Sequence, residues 1–146
     1  MAGLLRRLFG VTRQSRVRSF NDPVLGELSL SADEDWWESI VTLSGHTIQF
    51  QVGGASGPAP QLLAHAHDIC RELPTLVSTV AAFLEAEAAA QPRTAAEIRQ
   101  LTLESVFLPW PDRPNDGMLY FHGPDAFRVW RCDYINRQPV HLGFDS

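Results

Sequence analysis

The chain has 146 residues, of which 45% are hydrophobic and 20% charged, enough for one domain with a buried core and too few for two ordinary domains. All 12 basic residues are arginine, and the absence of lysine excludes Schiff-base chemistry with a pyridoxal cofactor and the phosphate loops that depend on a lysine. Five arginines precede residue 19 without any acid, whereas residues 19–146 hold seven arginines against 17 acids, a net charge of −10. So acidic a body argues against nucleic-acid binding, which depends on basic groups that neutralise phosphates.

The first 22 residues are expected to form a basic tail and a polar linker ahead of a single domain over 23–146. Leu4, Leu5, Leu8 and Phe9 fall on one helical stripe beside two arginines. This pattern predicts either a small amphipathic helix, which would bind a membrane surface or a partner through residues 1–9, or a tail that docks weakly or not at all. Because four apolar residues give only marginal anchoring, we favour the tail, and we expect membrane contact only if the helix forms.

The N-terminal part of the domain reads as three strands. Residues 24–30 form a short candidate, and Trp36 to Val52 contain two runs of β-formers separated by Ser44-Gly45, which is typical of a β-hairpin. With that pair as the loop, an apolar face holds Trp37, Val41, Ile48 and Phe50, and the opposite face holds mainly polar residues together with Trp36 and Ile40.

A helical segment follows the Gly/Pro-rich loop 53–60. Apolar residues recur at helical spacing over residues 61–90, and Pro74 either kinks one helix or lies in the first turn of a second. A further short helix is expected over residues 94–100. The period then switches to strand for four candidates: Leu101–Leu108, Met118–His122, Phe127–Tyr134 and Val140–Phe144. Both faces of the last strands carry apolar and polar residues, so the sequence does not show which face points to the core.

This order of elements predicts an α+β fold in which an antiparallel sheet, with three N-terminal and four C-terminal strands, packs on a central helical segment.

The candidates for chemistry are few. His65, His67, Asp68, Cys70 and Glu72 resemble a metal cluster when they are read linearly. On a helix, however, residues two apart differ in direction by about 200°, so His65 and His67 point to opposite sides and His65 lies near the apolar stripe. We therefore expect neither a metal nor another cofactor, and we assign no catalytic residue. Cys70 and Cys132 are interpreted as reduced, packed thiols.

The aromatic and arginine residues give a stronger signal. Trp36 and Ile40 lie on the polar face of the hairpin, Trp110 stands between two prolines in a loop, and Trp130 alternates with Arg128 in a strand. Because tryptophan and arginine are enriched at protein interfaces, these five residues are the candidate partner-binding set. The alternative is that they pack against a helix or hold loops on the core.

Several segments together resemble small bacterial families of unknown function, some of which are linked to polymorphic-toxin immunity. They are Leu25-Gly26-Glu27-Leu28, Leu103-Glu104-Ser105-Val106, the strand with Trp130, and the closing Leu142-Gly143-Phe144-Asp145. The resemblance extends over residues 24–146 and implies an α+β domain that acts by binding in the cytoplasm. It carries no catalytic residue with it.

The function expected from the sequence is therefore a non-enzymatic cytoplasmic domain that binds a basic protein partner, as an immunity-type neutraliser would. Two alternatives stay open: a small hydrolase or ligand-binding domain that uses a histidine and an aspartate in a cleft, and a peripheral membrane adaptor that uses residues 1–9. The sequence leaves the oligomeric state undetermined.

Overall fold

A computed structural model describes residues 18–33 and 35–145 of the chain. The expectations for a helix over residues 1–9 and for the beginning of the linker lie outside these described residues. Along the described chain the strands and helices follow in this order: β1 (Ser19–Asp22), β2 (Gly26–Leu30), β3 (Trp36–Leu43), β4 (His46–Gly53), α1 (Pro60–Arg71), α2 (Leu73–Ala90), α3 (Ala95–Ile98), β5 (Thr102–Leu108), β6 (Gly117–His122), β7 (Val129–Ile135) and β8 (Gln138–Asp145).

The strands form one eight-stranded sheet whose spatial order follows the chain from β1 to β8. Every neighbouring pair is antiparallel except β4 and β5, which run parallel. A parallel pair needs a long crossover connection, and the three helices supply it. The expected α+β fold, a mostly antiparallel sheet with a central helical segment, is confirmed.

The hairpin of β3 and β4 has the register expected from the sequence. Trp37 pairs with Val52, Ser39 with Phe50, Val41 with Ile48 and Leu43 with His46. Ser44 and Gly45 both have positive φ angles, 51° and 79°, as a two-residue hairpin loop requires.

The core lies between one face of the sheet and the helices. From β3 and β4 it takes Trp37, Ile48, Phe50 and Val52, and from α1 and α2 it takes residues at helical spacing such as Leu62, Ile69, Leu76 and Val80, all buried. The inner face of the last strands, which the sequence left open, carries Leu119, Phe121, Trp130, Cys132 and Tyr134.

Two helices, not one kinked helix, surround Pro74. The last turn of α1 ends at Arg71, and Glu72 separates it from α2, in which Pro74 occupies the first turn. Proline is tolerated there because the amide it lacks would have no intrahelical partner. Within the described chain, α2 is also the one helix that is long and apolar enough to cross a membrane by length and composition alone, a test that core helices pass as well.

The sheet has one more N-terminal strand than expected, because β1 lies within the segment assigned to the linker. Three of its four residues are polar and three of the four, Phe20 among them, are exposed, so hydrophobic alternation does not reveal it. The turn that follows determines its position. The Asp22 carboxylate accepts hydrogen bonds from the backbone amides of Val24 and Leu25, at 2.9 and 2.8 Å, and Gly26 has a φ of 76°.

Candidate binding surface

The second face of the sheet is not covered by any of the three described helices, which all pack on the inner face. Strand alternation places on it residues whose side chains point away from the core. Ladder pairing aligns them in rows across the sheet: one row contains Ser29, Glu38, Gln51, Phe107, Met118, Asp133 and Val140, and the next contains Ile40, Gln49, Ser105, Tyr120 and Arg131. We call this surface the open face.

Apolar side chains stand out on the β3 side of the open face. Ile40 is 71% exposed, the highest value for a large aliphatic side chain in the described residues. Trp36 is half-buried and meets Phe107 edge to face, with 5.1 Å between ring centroids. We call Trp36, Ile40 and Phe107 the open-face patch.

Hydrogen bonds hold the Trp36 ring in a defined position. Its indole Nε1 donates to Glu38 Oε1 at 2.8 Å, and Gln51 Nε2 donates to the same oxygen at 3.3 Å. A tryptophan whose rotamer is already held loses little conformational entropy when a partner packs against it. The geometry therefore presents a preorganised aromatic anchor.

Acidic groups accompany the patch. Glu38 lies on the open face between Trp36 and Ile40, and Glu27 lies on the same face of β2, two residues before Ser29. Farther along, Arg131 donates to Asp145 at 2.9 Å. Around the patch itself the described charge is negative.

Trp110 lies at the same end of the sheet as Trp36. Gly53 pairs with Trp36 across the ladder, and the backbone of Pro109 lies against Gly53 so closely that no side chain would fit there. The Trp110 ring is half-buried, with the Arg113 guanidinium 4.6 Å from its centroid. Trp110 therefore lies at this end of the sheet with its ring already stacked, in a loop that also contacts α1 through the Gln61 side chain and the carbonyl of Pro111.

Trp130 and Arg128 lie on the other side of the molecule from the open-face patch, and the burial of Trp130 corrects its assignment to the candidate set. Trp130 is 1% exposed, and its indole Nε1 donates to Glu97 of α3. Arg128 donates to the second oxygen of the same carboxylate at 2.8 Å and lies over the Phe144 ring. These residues attach α3 to β7, so Trp130 cannot contact a partner and the charge of Arg128 is already paired.

A cleft of about 230 Å³ lies where α1, α2 and the β7–β8 turn meet. Its lining includes the residue types that the hydrolase alternative requires: His65, Asp68, Ile69, Glu72, Thr75, Leu76, Thr79, Tyr134, Arg137 and Gln138. Arg137 closes one side through an ion pair with Asp68 at 3.2 Å.

The cleft histidine has both ring nitrogens engaged. His65 is 1% exposed, stacks on Tyr134 and shares a hydrogen bond between its Nδ1 and the carbonyl of Pro114. A carbonyl only accepts, so Nδ1 carries the proton, and Nε2 is left facing the Tyr134 hydroxyl at 3.4 Å.

Burial sets the protonation states of both cleft groups. It lowers the pKa of His65, although the Pro114 carbonyl favours the charged ring, and it raises the pKa of Tyr134 to about 12. Near neutral pH the pair is therefore an uncharged, hydrogen-bonded core element, and the ring has no free nitrogen to take a proton from a substrate.

His67 also makes a structural contact. His67 points away from His65, as helical geometry predicts, and its Nε2 lies 2.8 Å from the buried carboxylate of Asp22. Both cysteines are free thiols. No group of three or more histidine, cysteine, aspartate or glutamate side chains within the described residues could hold a metal ion.

Comparisons with protein-family models, with curated proteins and with solved structures find no match to this chain.

Proposed function

We propose that the protein is a non-enzymatic binding domain that uses its open face to contact a basic protein partner in the cytoplasm, in the manner of an immunity-type neutraliser. The observation that carries this proposal is the exposed Ile40 on a sheet face that no described helix covers. The same face carries, four residues away along β3, a tryptophan that is held in place. Antiparallel sheets often expose one face to water, but a solvated face is normally polar. An apolar patch there therefore favours contact with another surface.

Charge supports the choice of a basic partner. Residues 19–146 carry a net charge of −10, and Glu27 and Glu38 lie beside the open-face patch. Acidic groups around an apolar centre attract a basic surface before contact and align it during docking. The same charge pattern disfavours nucleic acid as the partner.

The free thiols support a reducing compartment. Cys70 and Cys132 are both unpaired, and disulfides are rare in the cytoplasm.

The hydrolase alternative receives less support from the described residues. The cleft does hold a histidine and an aspartate, but His65 has its two ring nitrogens engaged, and the Asp68 carboxylate lies in ion pairs with Arg71 and Arg137 at 3.2 Å each. A general base needs a free nitrogen within reach of a substrate proton.

Site-specific photo-cross-linking tests the proposal. A benzophenone amino acid at position 40 captures proteins that contact the open face. The same amino acid at position 86, where Ala86 is exposed on α2, is the matched control. We expect one protein adduct from position 40 and none from position 86, in the cells that make the protein. The captured partner should be basic, and its association rate should fall about tenfold or more from low to high ionic strength. Identical adducts from both positions, or a rate that salt leaves unchanged, would contradict the proposal.

A further inference from the structure

The chain itself carries a segment that matches the open face. Residues 1–17 precede the described part and contain four arginines and no acid, together with the apolar stripe of Leu4, Leu5, Leu8 and Phe9. A short basic segment with an apolar side has the composition expected of the occupant of an acidic surface with an apolar centre.

The described chain begins next to that surface. The backbone carbonyl of Arg18 accepts a hydrogen bond from the amide of Leu30 at 2.9 Å, and the amide of Ser31 donates to the carbonyl of Trp36 at 2.8 Å. Arg18 is therefore two strands from Trp36, about 10 Å at the usual spacing between strands. Ile40 lies four residues farther along β3, about 13 Å.

The intervening chain is long enough for this contact. Residues 10–17 separate the apolar stripe from Arg18, and eight residues span at most about 27 Å when extended. A short connection of this kind gives an effective concentration in the millimolar range. A dissociation constant of about 1 mM for the isolated segment would therefore be enough for substantial occupancy, so the marginal anchoring power of four apolar residues is no obstacle.

We propose that residues 1–17 dock in cis on the open face, with the apolar stripe against Trp36, Ile40 and Phe107 and the arginines facing Glu27 and Glu38. The docked segment covers the surface assigned above to the partner. Its regulatory consequence, a competition that a partner must overcome, rests on the proposed function, whereas the docking itself does not.

Paramagnetic relaxation in the full chain tests the docking. A nitroxide is attached at Gly10→Cys in a Cys70→Ser background, since Cys132 is fully buried and burial raises the pKa of its thiol. We expect the amide signals of Ile40 and Gln49 to lose most of their intensity, while the signal of Ser78 on the exposed side of α2 persists. No loss at all, or equal loss on both sides of the molecule, would overturn the proposal.

Paired variants identify what holds the segment. The double variant Leu4→Glu and Leu8→Glu should restore the amide signals of Ile40 and Gln49. The double variant Thr12→Glu and Gln14→Glu introduces the same charge without removing the apolar stripe, so most of the intensity loss should remain. If both pairs act equally, the apolar contact is refuted.

A mixed sample separates docking in cis from contact between copies. Nitroxide-bearing chains without isotope are mixed with isotope-labelled chains without nitroxide, and intensity loss in this sample would overturn docking in cis. Because the experiment uses no partner, its failure leaves the partner-binding proposal intact, and failure of the cross-linking experiment leaves this one intact.

Discussion

Alanine substitution of Trp130 and of Trp36 should lower the unfolding free energy by different amounts, because one ring lies in the core and the other on the open face. Trp130→Ala removes a ring that is 1% exposed and packs against Phe144 at 4.8 Å between centroids. Removal of a buried tryptophan costs about 3–5 kcal/mol of unfolding free energy. Trp36→Ala removes a half-buried ring that faces solvent on one side, so we expect a loss of about 1–2 kcal/mol, near the ordinary value for a point substitution.

The hydrogen bond of Trp130 contributes to the difference. Trp130→Phe keeps most of the ring but removes the indole donor that binds the Glu97 carboxylate. A hydrogen bond to a charged group contributes about 1.5–3 kcal/mol. The phenylalanine variant should therefore fall between the wild type and Trp130→Ala.

Urea unfolding followed by far-ultraviolet circular dichroism measures these losses. Trp130→Ala should lower the midpoint of unfolding strongly with little change in slope, and should lower Tm by about 10 °C, given about 2–4 °C per kcal/mol for a domain near this size. Trp36→Ala should shift both quantities much less. Equal losses in the two alanine variants, or a larger loss at Trp36, would refute the assignment of Trp130 to the core and of Trp36 to the open face.

Three further predictions concern the packing of the domain. Asp22→Asn should lower the unfolding free energy by about 1–2 kcal/mol near neutral pH. Burial alone would raise the pKa of Asp22, but hydrogen bonds from two backbone amides and from His67 hold it below its ordinary value of 3.8. The stabilisation by Asp22 is therefore complete above pH 3.8 and is lost as the pH falls through the lower pKa that this carboxyl has in the folded state. The difference in unfolding free energy between variant and wild type should narrow in urea titrations at acid pH, and a difference that stays constant with pH would contradict this. Cys70 and Cys132 should resist iodoacetamide at pH 8 in the folded protein, because burial raises their pKa values to about 11 and about 12; rapid alkylation detected by mass spectrometry would show a more open environment. Gly53→Ala should destabilise the domain by about 1–3 kcal/mol, because an added Cβ would overlap the backbone carbonyl of Pro109 in the loop after β5; thermal unfolding with no change in Tm would contradict that contact.

The β3–β4 hairpin could be predicted from sequence because three signals agree. Ser44-Gly45 is a turn pair, the flanking runs are rich in β-formers, and both strands place their apolar residues on the same face. Each signal is local, so no tertiary information was needed. The same alternation of side chains along β3 placed Ile40 on the face opposite the core.

The inner face of β7 could not be predicted, because both of its faces contain large or charged residues and a β-bulge shifts its register against β8. The burial of Trp130 depends on Glu97, 33 residues earlier in the chain, which satisfies the indole N–H. A buried tryptophan usually needs such a partner. Only the tertiary structure shows that this partner is in place.

β1 and the contacts of the cleft histidine were also not predicted from the sequence. β1 is short and mostly polar, and the Asp22 turn fixes its position. The turn residues Asp22, Pro23 and Gly26 were a signal that could have revealed it. His65 was expected near the apolar stripe of a helix, but its hydrogen bond to Pro114 spans 49 residues. Contacts of that range have no local sequence signal.

The partner affinity of variants at Ile40 tests the central claim most directly. Once the cross-linked partner is purified, isothermal titration calorimetry compares Ile40→Arg and Ile40→Glu with Ser78→Arg and Ser78→Glu, the matched pair on the exposed side of α2. We predict that Ile40→Arg weakens binding about 100-fold, because it places a charge at the apolar centre and repels a basic surface, that Ile40→Glu weakens it less, and that both Ser78 variants bind like the wild type. Unchanged affinity in Ile40→Arg, or an equal loss in Ser78→Arg, would contradict the claim that the open face binds the partner.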